Sequence, residues 1–210
     1  MLVRAGNPWR RTAQVALLAG VLAGCSEAED AERGASKASA SATARASAAD
    51  STAVSSGGTI GAAGSACELP ITFDLAKSWK AEAVEAPLKQ GPVSLACEVD
   101  AKPAGNIGYL RVWTGASGDA DARTALEGFV AAEDGVSGQT YRQFTSGDLS
   151  GVEVEYLYTS ELLDEKKKER ALAVVTADGP VVLHLGGLDT EEHEEMLPAY
   201  ELAKRTLRTA

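Results

Sequence analysis

Ala171-Leu172-Ala173-Val174-Val175-Thr176-Ala177-Asp178-Gly179-Pro180-Val181-Val182-Leu183-His184-Leu185 sets two apolar runs around an Asp-Gly turn signal. Ala171 to Thr176 and Val181 to Leu185 therefore read as a β-hairpin. Further strand patterns lie upstream. Val152, Val154, Tyr156 and Tyr158 alternate with Glu153 and Glu155, which predicts a half-buried strand with a wet face. Ile107 to Thr114 puts Ile107, Tyr109 and Trp113 on one face and Leu110 and Val112 on the other. Val93 to Val99 and Gln139 to Thr145 read as strands, and Ile71 to Phe73 as a short one. Two segments carry helical spacing instead. Ala120 to Asp134 lines up Ala122, Ala125, Leu126, Phe129 and Val130. The C-terminal segment opens with Asp189 and Glu192 in capping-box spacing and continues through Met196, Tyr200, Ala203 and Leu207. Pro198 inside it predicts a kink or a break near Leu197. Several strands, one helix, four strands and one helix joined by short turns make an α+β protein. The expected architecture is an antiparallel sheet of about six or seven strands flanked by two main helices. It contains no βαβ nucleotide-binding unit.

The three cysteines divide into one plus two. Cys25 closes Leu22-Ala23-Gly24-Cys25, after Arg4, Arg10 and Arg11 and an apolar stretch from Ala13 to Leu22. That stretch is too short for a membrane-spanning helix, which needs about 20 residues, and it suits a signal sequence. Residues 1–24 thus read as a lipoprotein signal peptide, with Cys25 as the acylated (palmitate-bearing) residue. The Arg10-Arg11 pair leaves the choice between general secretion and twin-arginine export open. Cys67 and Cys97 are then an even pair in an oxidising compartment, which predicts a disulfide. Its loop of about 30 residues would contribute roughly 3.5 kcal/mol.

Ser26 to Ala66 is rich in Ala, Ser and Gly, with Val54 and Ile60 its larger apolar side chains. Residues 25–66 therefore read as the lipidated cysteine and a disordered tether. Residues 67–210 supply the single globular domain, beginning with Leu69, Ile71, Phe73, Leu75 and Trp79. The formal net charge of −10 becomes more negative still when the signal and its arginines are removed. Such a surface repels nucleic acid and excludes it as a partner. Membrane contact is expected through the lipid on Cys25, on the outer face of the cell membrane. The basic run Lys166-Lys167-Lys168 is flanked by Asp164, Glu165 and Glu169 and reads as a solvated turn.

Residues able to do chemistry are few. Gly115-Ala116-Ser117-Gly118 lacks the spacing of a nucleophile elbow and reads as a strand-to-helix loop. His184 lies mid-strand on a face with Val182 and Gly186, as a hydrogen-bonded structural histidine does. His193 sits among Glu191, Glu192, Glu194 and Glu195, four residues after Asp189. A metal pair is conceivable there, but acids at a helix N-terminus also suit the helix dipole, which accounts for the whole cluster. Neither a metal nor a cofactor is expected. The aromatic set Trp79, Tyr109, Trp113, Tyr141, Phe144, Tyr156 and Tyr158 belongs first to the core, and its tyrosines beside charges mark where a binding face would lie.

Phe73-Asp74-Leu75 with Trp79, the strand Gly108-Tyr109-Leu110-Arg111-Val112-Trp113, Gly186-Gly187-Leu188-Asp189 and Leu197-Pro198-Ala199-Tyr200 together resemble one known group. It is the Mog1/PsbP-like domain of actinobacterial surface lipoproteins of the LpqN/LpqT type, over roughly residues 68–208. The resemblance implies an α/β/α sandwich without a shared catalytic set. The expected function is a non-catalytic, lipid-anchored extracytoplasmic binding or scaffolding protein, monomeric, contacting an envelope protein, glycan or lipid. The alternative is an envelope hydrolase or metal-dependent enzyme using His184 or His193 with nearby carboxylates. A concave site opening on His184 beside Ser, Asp or Glu would favour that alternative.

Overall fold

The computed structural model describes residues 53–160 and 165–210. The expected signal peptide, Cys25 and the stretch read as tether as far as residue 52 lie outside the described residues. Eleven strands and two α-helices follow in order: β1 (Ser56–Ile60), β2 (Ile71–Ala76), β3 (Lys80–Ala83), β4 (Lys89–Gln90), β5 (Val93–Asp100), β6 (Gly108–Gly115), α1 (Ala122–Ala131), β7 (Val136–Ser146), β8 (Leu149–Thr159), β9 (Lys166–Thr176), β10 (Gly179–Gly187), α2 (Thr190–Thr206) and β11 (Arg208–Thr209). The main sheet has eight strands in the order β3-β5-β6-β10-β9-β8-β7, with β4 also on β5, and all its pairings are antiparallel. A small sheet, β1-β2-β11, stands apart. The α+β class and the two main helices are as expected, while the main sheet holds slightly more strands than the six or seven read from alternation.

Period-two alternation sorts the side chains of the main sheet into two cores. On one face Leu110, Val112, Val181, Leu183 and Leu185 pack with Met196, Tyr200 and Ala203 of α2 and with Ile71 and Phe73 of the small sheet. On the other face Leu95, Trp113, Val152, Val154, Ala173 and Val182 pack with Leu126, Phe129 and Val130 of α1. The second cover is short. Ten residues of helix span about 15 Å, so α1 roofs only part of its face. It stops at a turn in which Gly135 has φ 80°, and a Cβ there would lie 2.5 Å from the Thr159 carbonyl oxygen.

The observed structure corrects several expectations. The domain does not begin at Cys67: β1 lies inside the stretch read as tether and pairs with β2 from Ser56 to Ile60. Its Gly and Ser residues bury little, so composition gave no strand signal, but backbone pairing and the buried Ile60 hold it. Glu153, expected on a wet face, is buried because α2 covers it, and Lys204 and Arg170 supply its partners. Lys166-Lys167-Lys168 opens β9 and is no turn. α2 runs unbroken through Pro198. The carbonyl that Pro198 leaves unpaired belongs to exposed Glu194, and burial of Met196, Ala199 and Tyr200 outweighs the loss. The capping box is half formed. Asp189 accepts from the Glu192 amide at 2.9 Å, but the Glu192 carboxylate accepts from the Ile107 amide at 3.0 Å, tying α2 to the start of β6.

Cys67 and Cys97 form the expected disulfide, with 6.0 Å between their Cα atoms. It joins the segment ahead of β2 to β5.

Candidate functional site

Where α1 stops, the sheet floor lies open. β6, β10, β9 and β8 run side by side, and their direct neighbours Arg111 and His184, Tyr109 and Gly186, and Tyr158 and Lys167 all project from that face. The resulting cleft has a volume of about 340 Å³ and is lined by Ile107, Tyr109, Arg111, Glu133, Tyr158, Lys167, Glu169, His184, Gly186 and Leu188, among others. It is within the size range of small-molecule sites. The fold places it by alternation: the residues that carry the α1-facing core become polar once the helix no longer covers them.

A buried polar cluster underlies the cleft. His184 Nε2 lies 2.7 Å from Glu169 Oε2 and 3.2 Å from the Tyr156 hydroxyl. The same hydroxyl lies 3.1 Å from Glu169 and 3.1 Å from Glu133, which follows α1. Lys167 Nζ reaches Glu169 Oε1 at 2.7 Å and donates to the Gly187 carbonyl at 2.7 Å. Burial pushes the Glu169 carboxyl up, but His184 and Lys167 outweigh it and hold it at about 2. Burial, reinforced by the charge on Glu169, pushes Glu133 up. Burial likewise drives the Tyr156 phenol well up, so it stays protonated. Tyr156 has one proton for two carboxyl neighbours, and Glu133 is the one suited to carrying the second.

This arrangement meets half of the condition set for an enzyme. His184 does line a concave site beside a glutamate. However, both Glu169 oxygens and His184 Nε2 are already engaged with one another, with Lys167 and with Tyr156. A general base needs a lone pair aimed at substrate, and the lining side chains named above include no Ser, Thr or Cys nucleophile. The remaining lining groups suit binding: Tyr109, Tyr158, Arg111 and the stem of Lys167, the two cations lying 5.0 Å and 5.2 Å from the centres of the two rings. Glu169, Tyr156 and Glu133 went unnoticed as a set in the sequence because they are distant along the chain. A lone acid, Glu169, among the cations Lys167, Lys168 and Arg170 just ahead of an apolar run was the available signal.

His193 does not join this cluster. It is buried on the α2 face with its Nδ1 unpartnered, and Asp189 is occupied as the helix cap. Among the expected aromatic residues, Trp79, Trp113 and Tyr156 are core, and Tyr141 lies under Arg123 at 3.8 Å. A larger groove of about 510 Å³ runs between the start of α1 and the β7–β8 hairpin, lined by Arg123, Gln143 and Phe144 among others. No buried titratable group lines it, so it ranks below the cleft.

A family model described as uncharacterised lipoprotein matches residues 36–207. The chain belongs to that lipoprotein family. Family membership gives this lipoprotein a location at the cell envelope. No curated protein matches its sequence. Its fold is PsbP-like: the solution structure of the cyanobacterial PsbP (CyanoP) of Synechocystis sp. PCC 6803 superposes with a TM-score of 0.50 at 10% identity, covering 73% of this chain and 98% of that one. The crystal structure of LpqN, involved in cell envelope biogenesis of Mycobacterium tuberculosis, matches with a TM-score of 0.41 at 15% identity, over 67% of this chain and 83% of that one.

Proposed function

We propose that the chain is a non-catalytic binding protein of the envelope, anchored on the outer face of the membrane by lipid on Cys25, and that the open sheet floor is its binding site. The observation that carries this is the cleft itself. A buried, internally satisfied Glu169–His184–Tyr156 cluster rigidifies a floor lined by two tyrosines and two cations. Lipoprotein family membership supports the anchor, and the acidic chain argues that the lipid, not surface charge, holds the membrane.

Two experiments test it. A photo-crosslinker at Tyr109, with a control at Arg142 on the exposed strand β7, should capture one envelope component from Tyr109 alone. Equal capture from both positions, or from neither, contradicts the site. Cell fractionation of a Cys25→Ala variant should move the protein out of the membrane fraction, and retention there contradicts the anchor. The enzyme reading keeps one supporting observation, the carboxyl pair Glu133 and Glu169 held apart in acidity around one phenol. Turnover of an envelope glycan that disappears in Glu133→Gln would establish it in place of binding.

A further inference from the structure

Arg111 is held in an unusual way for a surface arginine. Its Nε donates to Glu98 Oε1 at 2.7 Å, from the neighbouring strand β5, and its guanidinium lies 5.0 Å from the centre of the Tyr109 ring. Two contacts fix the plane of the group, while among the described residues its terminal nitrogens have no hydrogen-bond partner. A fixed guanidinium with a free N–H fork matches a carboxylate or phosphate. Both cations of the cleft are ion-paired, Arg111 with Glu98 and Lys167 with Glu169, but Lys167 also donates to the Gly187 carbonyl, whereas both terminal nitrogens of Arg111 are left to meet a ligand.

The mouth of the cleft has a different chemistry. Ile107 is 55% exposed and Leu188 52% exposed, and the Leu188 amide donates to the Ile107 carbonyl, so the two aliphatic side chains stand together. Tyr109, 38% exposed, continues the patch down to Arg111. Aliphatic tips gain by covering hydrocarbon, and they offer no flat face for a sugar ring. A positive fork inside and an apolar rim outside define the shape of the occupant.

We propose that the cleft binds an amphiphilic oxyanion, its charged head on the terminal nitrogens of Arg111 and its hydrocarbon against Ile107 and Leu188. This rests on the reading of the cleft as a binding site and names the class of ligand. Titration calorimetry on the full chain carrying Cys25→Ala would use decanoate, decyl phosphate, decanol and acetate, each below its micellar concentration. At least one of decanoate and decyl phosphate binds saturably, whereas decanol and acetate bind about tenfold more weakly or worse. The tighter of the two oxyanions identifies the head group as carboxylate or phosphate. Arg111→Gln weakens the oxyanions about tenfold and leaves decanol unchanged. Gly186→Val gives a second, independent variant. A Cβ at Gly186 would lie 3.5 Å from the His184 ring and 3.7 Å from Glu169, ordinary contact distances, so a side chain can start into the floor there without displacing backbone. It should abolish binding with unchanged circular dichroism.

Decanol binding as tightly as the tighter of the two oxyanions, or an Arg111→Gln variant with unchanged affinity, overturns the proposal. No binding of either oxyanion, together with a specific crosslink from Tyr109, overturns the ligand class and leaves the binding site standing. No binding and no crosslink remove both.

Discussion

His193 and Glu133 are two residues whose ionisation the fold opposes, and their pKa values move in opposite directions. Burial, helped by the Arg170 charge, lowers the His193 imidazole to about 4. The folded chain therefore takes up this proton less readily than the unfolded chain. Stability on this account is fully present above about pH 6.5 and falls as pH drops toward about 4. His193→Leu should flatten that loss and exceed the parent by about 1–2 kcal/mol at pH 5, with no such gain at pH 7.5, as urea unfolding at the two pH values would show. A difference independent of pH would contradict the burial argument. Glu133 is raised by burial and by Glu169, so its folded form favours the proton and stability declines as pH rises through its titration. Glu133→Gln should be relatively more stable than the parent above that range and should lose its advantage below it. The alternation of His184 with Val182 and Gly186 was legible in the sequence. Its partners were not, because Glu169 and Tyr156 arrive from two other strands and only pairing register brings them together.

At the level of elements, strands with one apolar face announced themselves, and the strands that escaped are those held by pairing alone. β1 buries only Ile60, and β4 and β11 have two residues each. The wet face assigned to β8 failed for a related reason: Glu153 and Glu155 look solvated until Arg170 of β9 and Lys204 of α2 are placed beside them. Charge alternation cannot tell water from a covering helix whose own inner face carries a lysine. α2 offers a direct test of how burial overrides propensity. Pro198 removes one helical hydrogen bond yet leaves the helix continuous. Pro198→Ala should restore that bond and stabilise the protein by about 1–3 kcal/mol, read as a raised midpoint in urea. A loss of stability would mean that the proline ring packs better than its backbone cost.

On the scale of the whole molecule, the disulfide and the small sheet define where the folded unit begins. The Cys67–Cys97 bond fastens the approach to β2 onto β5, and β1 is fastened in turn by pairing to β2. Changing both cysteines to Ser should cost about 3.5 kcal/mol without altering the fold. Limited proteolysis of the parent should leave a fragment that starts at or before Ser56, and a fragment starting at Cys67 would show that β1 is not held. The two-layer cover explains why a cleft exists. α2 and the small sheet close one face of the main sheet, and α1 closes part of the other, which leaves open the floor that we propose as the binding site. Sequence periodicity predicted both helices but not how far each would reach across the sheet. The open floor was therefore invisible until the strand order was known.

The central claim, that this floor is a binding site, is tested most directly by amide chemical shifts of the labelled full chain carrying Cys25→Ala, titrated with decanoate and with an extract of its own envelope. Saturable shifts confined to Tyr109, Arg111, Glu133, Lys167, Gly186 and Leu188 are the predicted result. Shifts concentrated instead around Arg123 and Phe144, or none at saturating ligand and extract, would contradict it.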